Sequence, residues 1–130
     1  MSVNKVARLW LAVAGISGAV AVGAEAAARH VLAQDPHRLD LAATGGRYGL
    51  IHALALAAVV ALLPGWNGGP GRRWLAVSGW CFVAGLVLFC GSLYLLAGGA
   101  PSFVARATPV GGLAFIAGWV ALAIAALQPR

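Results

Sequence analysis

A chain of 130 residues that is 62% hydrophobic and only 9% charged lies outside the soluble globular range of roughly 45–50% apolar and about 25% charged, and reads as one membrane domain spanning 1–130. Its net charge of +6 comes from nine Lys and Arg against three acids, set singly or in one pair between apolar blocks. Nucleic-acid binding would gather those cations on one face with polar or aromatic partners, so that class is excluded and the lipid bilayer is the expected partner.

Lys5 and Arg8, the apolar run over 9–24 and the "AEA" at 24–26 have the form of a secretory signal with a small-residue cleavage site. The run is at the upper length limit for such a signal and is read as a first transmembrane helix over 9–28. Within it Gly15, Ala19 and Gly23 recur every fourth residue, a spacing that lets helix backbones approach in lipid. Glu25 and Arg29 follow at i,i+4 with the acid first, the better orientation for an ion pair.

The one long connection covers 29–47. Asp35 is placed to cap a helix beginning at Pro36, and Gly45-Gly46 to stop it. Leu32, Leu39 and Leu41 give that segment an apolar side, so a short interfacial helix between spans 1 and 2 is expected, with a solvated surface helix as the alternative. The second span, 48–63, is the shortest and must cross nearly upright.

Pro64 and Gly65 end the second span, and "NGGPGRR" makes a helix-breaking turn into the third, 74–97. There Ser78, Gly85 and Ser92 recur every seven residues, while Cys81 and Cys90, nine apart, fall on opposite sides of a helix and cannot bridge. Thr108 and Pro109 offer an N-cap and a first-turn proline to the fourth span, 110–128, with Ala114 and Gly118 as a further small-residue pair. Trp10, Trp66, Trp74 and Tyr94 fall near span ends, where aromatic belts sit, whereas Trp80 and Trp119 lie deeper. The fold class expected is therefore all-α, a polytopic four-transmembrane-helix bundle.

An even number of spans puts both termini and the turn at 64–73 on one side. That side carries five basic residues, Lys5, Arg8, Arg72, Arg73 and Arg130, against Arg29, Arg38, Arg47 and Arg106 on the other. The count favours cytoplasmic termini. The same topology gathers Glu25, Arg29, His30, Tyr48, His52, Ser92, Tyr94, Arg106 and Thr108 in the opposite leaflet. His30, Tyr48, His52, Ser92, Tyr94 and Thr108 form the expected polar cluster, with Tyr48 and His52 on one helical face four residues apart.

Intramembrane ionisable groups are costly and pair inside the bundle. Glu25 is read as a local ion pair with Arg29; the sharper alternative makes it the carboxylate of a small proton-coupled transporter. His52 is read as tying helices together through Tyr48, Tyr94 or a carbonyl, the alternative being a haem or metal site with His30. No third ligand spacing accompanies the two histidines, so no metal and no cofactor is expected. No nucleophile–base set, carboxylate pair or phosphate loop is present, and the chain is expected not to be an enzyme.

The stretches "ISG" at 16–18, "HVL" at 30–32, "TGGRYGLIHALAL" at 44–56, "LFCGSLYLL" at 88–96 and "TPVGGLAFIAGW" at 108–119 give the chain its resemblance to the domain of unknown function 423 family, small four-span membrane proteins akin to transmembrane protein 256. The resemblance implies a four-helix bundle in the bacterial inner membrane and no particular reaction, substrate or cofactor. The motif positions it carries over are His30, Tyr48, His52, Gly91, Ser92, Tyr94, Thr108, Pro109, Gly111, Gly112, Gly118 and Trp119. One segment departs from the pattern: where the family has a Gly-Ala-aromatic-Gly-Ala-His run, this chain has "EAAARH", so both halves of the Glu25–Arg29 pair are its own. The helix-packing positions expected are Gly15, Ala19, Gly85, Gly91, Gly111, Gly112 and Gly118. The resulting reading is an integral inner-membrane protein that serves helix packing, self-association or docking within a homo-oligomer or larger membrane complex.

Overall fold

The computed structural model describes residues 3–129. Five α-helices follow one another as α1 (Val3–Val31), α2 (Pro36–Leu62), α3 (Gly69–Gly85), α4 (Gly91–Ala97) and α5 (Ala107–Ala126). A π-helical turn at Leu86–Cys90 joins α3 to α4 without a break, so the pair forms one rod. Four helical stretches are long and apolar enough to cross a bilayer: Asn4–Val31, Pro36–Gly65, Gly69–Ala97 and Ser102–Ala126. The architecture is all-α with four spans; α1 packs on α2, α5 packs on α3, and α2 meets the α3–α4 rod between them.

The separate interfacial helix between spans 1 and 2 is a correction, because 36–47 continues without interruption into the second span. Asp35 does cap it, accepting from the Arg38 backbone N–H at 3.1 Å, with Pro36 in the first turn. Gly45 and Gly46 do not stop it. A Cβ on Gly46 would stand 3.2 Å from the Ala21 carbonyl, and one on Gly45 would stand 2.8 Å from the Tyr94 ring. Helical glycine costs about 1 kcal/mol against alanine, and here it makes room for α1 on one side and Tyr94 on the other. The second helix is thus long rather than short, and its first three turns project beyond the apolar run that begins at Tyr48. Arg38 Nε donates to the Ala97 carbonyl at 2.6 Å, tying that projection to the end of α4.

At the opposite end, Leu63–Gly65 tightens into a 3-10 turn, and positive φ at Gly68 and Gly69 reverses the chain into α3. Arg72 holds this turn by donating to the carbonyls of Leu63 (3.0 Å) and Trp66 (2.7 Å). Trp10 and Trp66, expected in the aromatic belt, are core residues instead: Trp10 lies over Gly79, where a Cβ would come within 2.4 Å of the indole, and Trp66 covers Gly71. The fourth span, α5, is entered through a 3-10 turn at Ser102–Arg106. Thr108 therefore sits inside α5, whose N-cap is Arg106, and its hydroxyl is free for a partner other than the backbone.

The α3–α5 seam consists of alternating ring and glycine. Phe82 fills the space beside Gly118, Phe115 the space beside Gly85, and Phe89 the space beside Gly111, each so closely that no Cβ fits. Ser78 Oγ, fully buried, donates across the same seam to the Gly118 carbonyl at 2.9 Å. Without a hydrophobic drive between helices in lipid, such close packing and interhelical hydrogen bonding supply the association.

Candidate functional site

The α2 face carrying Tyr48, Ile51 and His52 looks across at Gly112, Phe115, Ile116 and Trp119 of α5, spaced i, i+3, i+4 and i+7 so that all four share one stripe. Phe82 and Phe89, one heptad apart on the third rod, close the space between the two helices from behind. His52 is at the centre. Its ring stacks on Phe115 with centroids 3.5 Å apart, lies parallel to Tyr48 at 6.0 Å, is tilted against Phe82 and meets Trp119 edge-on.

Both ring nitrogens of His52 are engaged. Trp119 Nε1–H donates to Nε2 at 3.1 Å, and Nδ1 lies 2.7 Å from the Tyr48 carbonyl oxygen. An indole nitrogen only donates and a carbonyl only accepts, so Nε2 must be unprotonated and Nδ1 must carry the hydrogen. His52 is thereby fixed as one neutral tautomer. It has neither a lone pair for a metal nor a nitrogen free to act as a base without first breaking the bond to Trp119.

The expected polar cluster is divided by the structure. Tyr48 and His52 belong to the aromatic site just described. Ser92 and Thr108 pair with each other at 2.7 Å between α4 and α5, and Ser92 also donates to the Phe89 carbonyl. Tyr94 points to the other side of the third rod, its hydroxyl buried beside Gly49 and Cys90 with no hydrogen-bond partner among the described residues. His30 is exposed in the last turn of α1. Because Gly46 lies against Ala21 and Glu25, His30 and His52 are roughly 16 Å apart along the bundle at 1.5 Å per residue, and no two-histidine site is formed.

Glu25 and Arg29 make their pair at 2.9 Å with side chains 42% and 68% exposed, so the carboxylate is neutralised within its own helix at the edge of a pocket between α1 and α2 that Asp40 also lines. Of the packing positions, Gly85, Gly111 and Gly118 lie in the α3–α5 seam, and a Cβ on Gly112 would stand 3.7 Å from the ring of Phe89. Gly15 and Gly91 meet nothing within 4 Å, and Ala19 is exposed, so the close packing assigned to these three is not made within the chain. Among the described residues, no three His, Cys, Asp or Glu side chains gather where they could hold a metal ion.

In the sequence Trp119 stands out only as a motif position and as an indole deeper than the belts. That depth was the available signal, since an indole N–H in hydrocarbon needs an acceptor. Arg47 and the rings of Phe82, Phe89 and Phe115 carried no such mark. Between α2 and α5, Phe89, Phe115 and Trp119 line a groove of about 530 Å³ with His52 in its wall and Arg47 and Tyr48 at its outer end.

The family model described as a protein of unknown function (DUF423) matches residues 24–112. The chain is 37% identical to the UPF0382 membrane protein YwdK of Bacillus subtilis, over 93% of this chain and 98% of that protein. It is 33% identical to the UPF0382 inner membrane protein YgdD of Escherichia coli, over 93% and 91%, and 32% identical to a UPF0382 membrane protein of Haemophilus influenzae, over 93% and 95%. No solved structure matches the chain.

Proposed function

Starting from the chain's membership of the DUF423 family of membrane proteins, we propose that this integral membrane protein is non-enzymatic and works through shape, as a packing, self-association or docking component of the bacterial inner membrane with both termini cytoplasmic. The observation that carries this is the double engagement of His52, which turns the one buried ionisable group of the second span into a helix tie. The pairing of Glu25 with Arg29 adds to it, because a coupling carboxylate has to be free for its proton or cation and this one is neutralised within its own helix. The apolar outer face of α1, with Gly15, Ala19 and Gly23 in line, is the surface offered for a second copy or another membrane protein.

A proteoliposome flux assay on the wild type and Glu25→Gln tests the reading. Background flux in both agrees with it, whereas wild-type flux abolished by the substitution overturns it in favour of a proton-coupled transporter. Absorbance and metal analysis of the purified folded protein make the second arm: a stoichiometric haem or metal signal removed by His52→Leu would likewise overturn it.

A further inference from the structure

We propose that the groove between α2 and α5 is a binding site for one acyl chain of an anionic glycerophospholipid, with Arg47 receiving the headgroup phosphate. The inference goes beyond the packing role and stands independently of it.

Level and charge place the head. Gly46 lies against Ala21 and Glu25, so its neighbour Arg47 stands near the height of Glu25, about a turn deeper than Arg29, and the apolar run begins at the next residue, Tyr48. That is headgroup depth. Arg47 is exposed and has no hydrogen bond or ion pair among the described residues. The nearby acids of α1 and α2, Glu25 and Asp40, line a different pocket, on the α1 side of α2. The chain therefore leaves its groove-side cation to be neutralised from outside, as a guanidinium and a phosphate do well.

The body of the groove fits a chain. From Arg47 it runs inward past Ile51 and His52 on one wall and past Gly112, Ile116 and Trp119 on the other. Gly112 to Trp119 alone extends about 10 Å at 1.5 Å per residue. Its roughly 530 Å³ lies within the usual span of about 300–1,000 Å³ for small-molecule sites. The missing side chain at Gly112 leaves a notch in front of Phe89. With His52 committed on both nitrogens, no polar group of the floor asks for a partner, which suits a polymethylene tail. A transmembrane helix, about 10 Å across with its side chains, would meet a groove only two turns long and would bring no anion to Arg47.

The test is quenching of tryptophan emission by chain-brominated lipids in phosphatidylcholine vesicles. Trp119 lines the groove, so the informative signal is the part of the quenching that Trp119→Phe removes. Brominated phosphatidylglycerol is expected to quench that part at roughly fivefold lower mole fraction than brominated phosphatidylcholine, the equivalent of about 1 kcal/mol. Arg47→Gln should bring the two lipids to parity. Gly112→Leu, which fills the notch, should abolish saturable quenching by both; Ile116→Phe on the groove wall narrows it without adding a fluorophore should Gly112→Leu not fold. Equal quenching by the two lipids in the wild type means annular contact only and overturns the proposal. So does a preference that survives Arg47→Gln, or one that disappears as protein is concentrated in the vesicle, since the last result puts a second copy in the groove.

Discussion

His52→Leu keeps most of the side-chain volume but deprives the Trp119 indole of its acceptor and removes the stack on Phe115. A buried donor left without a partner costs about 1–3 kcal/mol, so the variant should melt at a lower temperature in detergent. Trp119→Phe removes the donor from the other side, and the two substitutions together should cost less than their sum. The coupling expected is about 0.6–2 kcal/mol, the range of interhelical hydrogen bonds in membranes. Additive losses would show that the bond contributes nothing. The sequence showed that an imidazole sits in the second span one turn after Tyr48, and also that it needs partners. It did not show which ones, because the i,i+4 spacing points to the Tyr48 ring while the bond goes to the Tyr48 carbonyl, and Trp119 is 67 residues away.

Small residues recur along every span, and their spacing alone does not say which face turns inward. Gly111 and Gly91 illustrate the difference. A methyl on Gly111 would stand 2.3 Å from the backbone nitrogen of Phe89, an atom that cannot swing aside as a side-chain end can, whereas Gly91 meets nothing. Gly111→Ala should therefore push α5 off the third rod at a cost of about 1–3 kcal/mol, and Gly91→Ala should change the melting temperature hardly at all. If both variants melt alike, the α3–α5 seam is not packed as described. The same ambiguity hid the continuity of α2, since a Gly-Gly pair after a capped amphipathic turn has the pattern of a helix stop. Only the proximity of Ala21 and Tyr94 explains why a smooth helical surface is required there. The projecting turns of α2 are held by Arg38, so Arg38→Ala should raise amide hydrogen exchange over 36–40 and 97–100, and unchanged protection would mean the 2.6 Å bond to Ala97 is dispensable.

Four crossings were legible from apolar run length alone, because lipid allows few alternatives to a backbone that satisfies its own hydrogen bonds. The direction of those crossings rests on a basic-residue count of five against four. Arg72 and Arg38, one on each side, are both bound to backbone carbonyls that end helices. Among the remaining basic side chains of the described residues, Lys5, Arg8 and Arg73 flank spans at the end with the termini, and Arg29, Arg47 and Arg106 flank them at the other. Cytoplasmic termini therefore rest on the bare count. Single cysteines placed in a background lacking Cys81 and Cys90 test it, at Asn4 and Asn67 for one end and at Ala33 and Ser102 for the other. An impermeant thiol reagent should label positions 33 and 102 on intact cells stripped of their outer barrier, and positions 4 and 67 only after the inner membrane is opened. The reverse pattern would invert the protein while leaving the bundle intact. Labelling that separates position 4 from position 67 would require an odd number of crossings between them, and α1 could then not run antiparallel to α2 with Gly46 against Ala21.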